Sequence, residues 1–272
     1  MADNRPIGIF DSGLGGLTVM KEIVKLLPNE NIIYFGDTGR VPYGTRSRNT
    51  IRKYAVQDEN FLLKHSVKII VAACGTVSAV AADTGKALPV PFFEVISTAA
   101  QSAVSATKNG KIGVIGTPAT ISSGEHAKKI KVLLPSAEIF MESCPLFVPL
   151  VEEGLFSESD PVVLETATRY LEPLKQNGID TLVLGCTHYP LLAPVISKVM
   201  GEEVKLINMG EAAAISIKDF LTENGMLCDN FGNATHKFFV SDMTESFGEV
   251  ANLLLGEKIS ENNAEQVDIN SL

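Results

Sequence analysis

Cysteine and long apolar runs are both scarce in this 272-residue chain. Its four cysteines form no CxxC pair, so the sequence has neither a disulfide framework nor a zinc-knuckle pattern. Its apolar runs fall short of the roughly 20 residues that a membrane-spanning helix needs, and the opening MADNRPIGIF lacks the apolar core of a signal peptide. We therefore expect a cytoplasmic protein with free thiols and no membrane partner.

Basic residues are also fewer than acidic residues. The chain has 23 lysines and arginines against 32 acidic residues, which gives a net charge of −9. General affinity for a nucleic acid backbone needs clustered positive charge, so we expect no nucleic acid partner. A small anionic substrate stays compatible with this charge, because a cleft can hold local hydrogen-bond donors. With 45% hydrophobic residues, the chain can build a substantial core in one large or two ordinary domains.

Short apolar runs alternate with helical patterns along the whole chain. This alternation predicts an α/β fold with parallel sheets and helices on both faces, and ligands in such folds bind beyond the carboxyl ends of the strands. The polar tail at 261–272 is expected to fray. The side chains predicted at the strand ends are Asp11, Ser12, Asp37, Cys74, Thr76, Thr117, Cys186, Thr187 and His188.

The first predicted strand runs into a glycine-rich turn, DSGLGG, and then a helix. These glycines lack the GxGxxG spacing of a dinucleotide site, and no acidic residue follows a second strand in the usual place. We interpret the turn as a way to present Asp11 and Ser12. A later loop, RVPYG at 40–44, is too rich in proline and glycine to be a helix.

Two of the predicted strands end in cysteine, at Cys74 in KIIVAACGTVSA and at Cys186 in TLVLGCTHYP. The runs IGIFDS and KIGVIGT also resemble each other, and their separation is close to that of the two cysteines, which indicates an internal duplication. Cys144 lies in a loop sequence and is interpreted as structural, and Cys228 lies in a polar turn with no strand end to present it.

A thiol from each half would suit inversion of a carbon acid. Such a reaction needs a base on one face of the carbon and an acid on the other, and a thiol with a pKa near 8.5 can serve in both forms. Asp11 could assist Cys74, and His188 could assist Cys186. A cysteine hydrolase is the alternative, but it would leave one of the two thiols without a role.

Five motifs spread over nearly the whole chain carry a family resemblance: IGIFDSGLGGLTV, GDTGRVPYGTRS, VAACGTVSA, VIGTPATI and LVLGCTHYPLL. Together they resemble the glutamate racemases of the aspartate/glutamate racemase superfamily. The resemblance implies an enzyme without cofactor or metal that interconverts L- and D-glutamate and supplies D-glutamate for peptidoglycan. It also implies a homodimer.

The resemblance implies a fold as well. We expect two similar α/β domains, each with a mainly parallel sheet flanked by helices, related by a pseudo-twofold axis with the active site in the cleft between them. The first domain would be 1–97 plus 208–272, carrying Asp11 and Cys74. The inserted second domain would be 98–207, carrying Thr117 and Cys186.

Residue by residue, the resemblance makes Cys74 and Cys186 the catalytic acid and base and gives Glu152 a supporting role beside the second thiol. The substrate contacts that it implies are Asp11, Ser12, Tyr43, Gly44, Gly75, Thr76, Thr117, Thr120, Thr187 and His188.

Gly75 departs from the family pattern, which usually has asparagine after the first cysteine. The loss of a side-chain amide could alter affinity or specificity. Two alternatives therefore stay open at this point. One is a racemase of another acidic amino acid such as aspartate, and the other is a binding or regulatory protein on a racemase scaffold.

Overall fold

The computed structural model describes residues 2–243, 247–255 and 264–268. No helix within these residues is both long and apolar enough to cross a bilayer. The strands are β1 (Ile7–Asp11), β2 (Ile32–Gly36), β3 (Ile69–Ala72), β4 (Phe92–Glu94), β5 (Lys111–Gly116), β6 (Glu138–Ser143), β7 (Thr181–Gly185), β8 (Lys205–Asn208), β9 (His236–Val240) and β10 (Ala264–Gln266).

Helices follow most of these strands, and short 3-10 turns lie at Thr38–Arg40, Tyr43–Thr45, Thr84–Ala87 and Tyr189–Leu192. The helices are α1 (Leu17–Leu26), α2 (Arg48–Lys64), α3 (Gly75–Val80), α4 (Val95–Ala106), α5 (Pro118–Ser123), α6 (Glu125–Leu133), α7 (Phe147–Glu152), α8 (Pro161–Gln176), α9 (Ala193–Met200), α10 (Met209–Glu223) and α11 (Phe247–Leu255).

The strands form two separate sheets, one with the order β10-β9-β2-β1-β3-β4 and the other with the order β6-β5-β7-β8. Every strand pairing in both sheets is parallel. The central strands β1, β3 and β7 are buried along their whole length, which explains their continuous apolar sequences. The prediction of an α/β fold with two parallel sheets flanked by helices is confirmed.

The two sheets repeat one strand order. The run β2-β1-β3-β4 of the first sheet has its counterpart in β6-β5-β7-β8 of the second. Cys74 follows β3 and Cys186 follows β7, so the two thiols stand at equivalent strand ends. The predicted division into 1–97 plus 208–272 and 98–207 stays a prediction at the level of its boundaries.

The C-terminal tail contains a strand that the sequence did not predict. Within the polar tail, Ala264–Gln266 forms β10, which pairs in parallel with Phe238–Val240 of β9. Backbone pairing stabilises a strand regardless of how polar its side chains are, so hydropathy alone did not predict this edge strand. The other residues of the predicted tail, apart from 267 and 268, lie outside the described residues.

A continuous core joins the two sheets. Ile9 of β1 and Val114 of β5 belong to one cluster of buried side chains, together with Ala99 of α4 and Ala213 of α10. These small, fully buried alanines let the helices between the sheets pack closely. The core therefore holds the carboxyl ends of both sheets near one another.

Candidate active site

A cavity of about 360 Å³ lies where the carboxyl ends of the two sheets meet. Every site residue predicted from the sequence lines this cavity, apart from Asp11, which is buried next to Ser12. The lining residues among them are Ser12, Tyr43, Gly44, Cys74, Gly75, Thr76, Thr117, Thr120, Glu152, Cys186, Thr187 and His188.

Cys74 lies in the turn between β3 and α3, in extended backbone, and is almost fully buried. Its thiol donates a hydrogen bond to the Ser12 hydroxyl across 3.4 Å. Burial and the nearby Asp11 carboxylate both disfavour a thiolate, while the Ser12 contact favours it, and together they raise the pKa of Cys74 to about 12. The surroundings of Cys74 therefore favour its protonated thiol form.

Asp11 ends β1 and points one carboxylate oxygen, Oδ2, at the backbone N–H of Gly13, 3.0 Å away. Its other oxygen, Oδ1, is buried with no hydrogen-bond partner among the residues that the structure describes. Burial raises the pKa of Asp11, and the charge of His188 opposes that shift. An unpartnered buried carboxylate oxygen beside a cavity is suited to receive a cation from a ligand.

Cys186 has a different environment. The Nδ1 atom of His188 lies 3.8 Å from its Sγ atom, and the Nε2 atom of the same ring lies 3.3 Å from Glu152 Oε1. Burial lowers the pKa of His188, but the contacts with Cys186 and Glu152 outweigh it and raise the pKa to about 10. The imidazole of His188 therefore lies between the Cys186 thiol and the Glu152 carboxylate and contacts both.

Three threonine hydroxyls cross from one sheet to the other along the cavity wall. Thr76 Oγ1 lies 3.5 Å from Thr117 Oγ1, which lies 3.0 Å from Thr120 Oγ1. Thr117 also caps α5 by accepting from the Thr120 N–H. Gly44 adjoins this row, since a Cβ atom there would lie 3.6 Å from Thr117 Oγ1. The row offers neutral donors and acceptors suited to a carboxylate.

Gly75 begins α3 with an ordinary negative φ, so its backbone conformation does not require glycine. Space does require it, because a Cβ atom at Gly75 would lie 2.8 Å from the carbonyl oxygen of Gly185. The Gly185 carbonyl of the opposite sheet therefore occupies the space that a larger side chain at position 75 would need.

The glycine-rich turn after β1 also packs against the second sheet. A Cβ atom at Gly15 would overlap the Thr187 hydroxyl and the His188 ring. The Thr18 hydroxyl, at the start of α1, lies 2.8 Å from the Thr187 carbonyl oxygen. The glycines thus serve close packing across the cleft, in agreement with the absence of a dinucleotide motif.

The structure adds two details that the sequence did not reveal. The hydroxyl of Tyr43 is hydrogen-bonded to Asp37 and Asp58, so Tyr43 offers the cavity its ring and main chain. Cys144 is fully buried in the cavity wall, where its carbonyl accepts from the Tyr189 hydroxyl across 3.0 Å. Neither contact has a sequence signal, because each joins residues brought together only by folding.

Metal-binding groups of three or more histidine, cysteine or acidic side chains are absent from the described parts of the chain.

A comparison with known protein families shows which family this chain belongs to. Residues 7–216 match the Asp/Glu/Hydantoin racemase family. The chain belongs to this family. Its membership confirms the resemblance carried by the five motifs, and these motifs contribute most of the cavity wall.

Individual members of the racemase family resemble the chain over nearly its full length. It is 46% identical over 267 residues to the glutamate racemase of Thermoanaerobacter pseudethanolicus, covering 98% of both chains. Among solved structures, glutamate racemase from Francisella tularensis in complex with D-glutamate has a TM-score of 0.91 at 40% identity, covering 99% of this chain and 100% of that one. The Bacillus anthracis glutamate racemase has a TM-score of 0.92 at 40% identity and covers 98% of both chains.

Proposed function

We propose that this chain is a glutamate racemase that interconverts L- and D-glutamate without a cofactor and so supplies D-glutamate for peptidoglycan. The observation that carries the proposal is the placement of Cys74 and Cys186 at equivalent ends of two like sheets, lining one cavity. The glutamate racemases at 40% identity or above cover nearly the whole chain and support the choice of substrate.

In the proposed reaction, the two thiols act on opposite faces of the substrate Cα. The Cys186 thiolate, paired with the His188 imidazolium, removes the Cα proton and becomes a thiol. The Cys74 thiol then delivers its proton to the other face and becomes a thiolate. One C–H bond breaks, another forms, and the reverse direction exchanges the two roles.

Asp11 is proposed to bind the substrate ammonium group. Its unpartnered Oδ1 atom provides the acceptor. The negative charge of Asp11 also contributes to the raised pKa of Cys74. An ammonium group paired with Asp11 would offset that charge and make the Cys74 thiolate accessible during the reaction.

The two substrate carboxylates are proposed to bind the neutral donors of the cavity, which belong to Ser12, the Tyr43–Gly44 backbone, Gly75, Thr76, Thr117, Thr120 and Thr187. Glu152 acts through His188 and so has a supporting role. Cytoplasmic location and a homodimer complete the proposal.

Solvent deuterium incorporation tests the function directly. Purified protein without added cofactor is incubated in D₂O with L-glutamate, D-glutamate or aspartate, and loss of the Cα proton signal is followed by NMR. We expect exchange and racemisation of both glutamate enantiomers. Comparable or faster turnover of aspartate would overturn the substrate assignment.

The two-thiol mechanism has its own test. A double Cys74→Ser, Cys186→Ser variant is expected to lose activity, and full activity in that variant would refute the mechanism. Cys228→Ser is the matched control. Cys228 is also buried, but its thiol donates a hydrogen bond to Asn4 Oδ1 and lies outside the cavity. This variant should therefore keep the wild-type rate.

A further inference from the structure

The loop that follows β2 carries Tyr43 and Gly44 to the cavity wall. Its only regular structure is two short 3-10 turns, Thr38–Arg40 and Tyr43–Thr45. Neither turn has a side-chain cap among the described residues. The loop is held by hydrogen bonds from Thr38 to the Asp242 carbonyl and from the Gly39 N–H to the Ser241 hydroxyl, and by contacts on its buried side.

Two fully buried carboxyl groups, Asp37 and Asp58, lie on that side with Arg40. Arg40 donates from Nε to Asp37 Oδ2 across 2.5 Å and from Nη2 to Asp58 Oδ1 across 3.0 Å. Its guanidinium also stacks 4.1 Å from the centre of the Tyr54 ring. Asp37 additionally accepts from the Ser241 hydroxyl across 2.7 Å.

The Tyr43 hydroxyl lies between the two carboxyls. It contacts Asp37 Oδ2 and lies 3.0 Å from Asp58 Oδ2. A phenol has a single hydrogen to donate, so it can satisfy only one of two carboxylate oxygens. The second contact becomes a hydrogen bond when the other carboxyl is protonated and donates to the phenol oxygen.

Asp58 is the better candidate for that proton. Asp37 accepts from Ser241 at Oδ1 and from Arg40 and Tyr43 at Oδ2, so neither of its oxygens is left to donate a proton to Tyr43. Burial, the nearby charge of Asp37 and the charge of Glu59 raise the pKa of Asp58 well above its usual range, against the opposing effects of Arg40 and Tyr43. With one proton on Asp58, the single guanidinium faces a single negative charge.

We propose that Asp58 is a protonated positioning residue of the active site. Its carboxylic acid donates to the Tyr43 hydroxyl, which donates to the Asp37 carboxylate, and this chain of hydrogen bonds fixes Tyr43 and Gly44 at the cavity wall. The inference rests on the racemase activity proposed above. Asp58 contacts the loop from α2, and it acts on the substrate only through Tyr43.

Substitutions at the two carboxyls distinguish this arrangement from simple structural support. Asp58→Asn keeps a neutral group that can donate to Tyr43 and accept from Arg40, so its KM for glutamate should stay within about twofold of wild type. Asp58→Leu removes both bonds and should raise KM about tenfold or more with a smaller change in kcat. Asp37→Asn removes the charge opposite Arg40 and should also raise KM about tenfold.

Glu59→Gln is the matched control. Glu59 is the next residue of α2 and is also a buried carboxyl, but it accepts from the Thr84 hydroxyl across 2.5 Å. The charge of Glu59 is the weakest of the influences that raise the pKa of Asp58, so the KM of this variant should stay close to that of the wild type. If Asp58→Leu does not fold, Tyr43→Phe removes the same central hydroxyl while keeping the ring, and it should show the same rise in KM.

Infrared difference spectroscopy reports the proton without any enzyme assay. Wild type minus Asp58→Asn should show the carbonyl band of a protonated carboxylic acid at a pH well above 7. Glu59, whose pKa burial raises to about 7, is ionised under that condition. This readout stays valid even if glutamate is the wrong substrate, so the two proposals can fail separately.

Three results would each overturn the inference. They are absence of the infrared band, a tenfold rise of KM in Asp58→Asn, and an unchanged KM in both Asp58→Leu and Tyr43→Phe. Unfolding temperatures of all variants identify any loss of activity caused by misfolding.

Discussion

Gly75 packs so closely against Gly185 of the opposite sheet that a Cβ atom added to Gly75 would lie 2.8 Å from the Gly185 carbonyl oxygen. Each glycine is the immediate neighbour of a cavity thiol, Cys74 in one case and Cys186 in the other. The distance between the two strand ends therefore bears directly on the distance between the thiols.

Gly75→Ala and Gly75→Asn should both lower kcat for glutamate, by about tenfold or more. Either side chain forces the two strand ends apart, and small displacements of catalytic groups are costly. Asparagine at position 75 should not improve the enzyme. The measurement is kcat in both directions.

Gly44→Ala is the comparison for Gly75→Ala, because it makes the same change in the same cavity where the nearest atom to a new Cβ lies 3.6 Å away. Its loss of kcat should be smaller than that of Gly75→Ala. Wild-type or faster turnover by Gly75→Asn would contradict the proposed close approach.

Glu152→Gln should move the alkaline limb of the pH–rate profile to lower pH. Glu152 is one of the groups that raise the pKa of His188 to about 10. Without its charge the pKa of His188 falls, and the imidazolium beside Cys186 is lost at a lower pH. The measurement is kcat/KM for each enantiomer across the alkaline range.

Glu153→Gln controls for this prediction, since it makes the same charge change at an exposed neighbouring residue outside the cavity. Its alkaline limb should coincide with that of the wild type. An equal shift in both variants would mean that the effect comes from overall charge and not from the pair with His188.

His126 should make the fold sensitive to mild acid. It is fully buried, neither ring nitrogen has a hydrogen-bond partner among the described residues, and burial lowers its pKa to about 4. The unfolded chain binds a proton near pH 6.5, so stability is fully present above that pH and falls as pH drops toward 4.

The linked loss in the free energy of unfolding is about 2 kcal/mol between pH 7.5 and pH 5. Urea unfolding at the two pH values measures it. His126→Leu should remove this part of the pH dependence, and an identical pH dependence in variant and wild type would show that His126 is not responsible.

The sequence predicted the strands most directly where burial is complete. β1, β3 and β7 read as apolar runs because both faces of a parallel sheet are covered, and a polar residue after each run marks its carboxyl end. β10 had no such signal, because its strand depends on pairing with β9 and not on apolar side chains.

The sequence by itself determined the repeated α/β pattern, the two strand-end thiols and the family, because each is written in local runs and motifs. Only the tertiary structure decided what surrounds each thiol. Asp11 lies beside Cys74 and contributes to its raised pKa, whereas Cys186 contacts His188, which is paired with Glu152. The contacts of Gly75 with Gly185 and of Tyr43 with Asp58 join distant segments, and no local pattern encodes such distances.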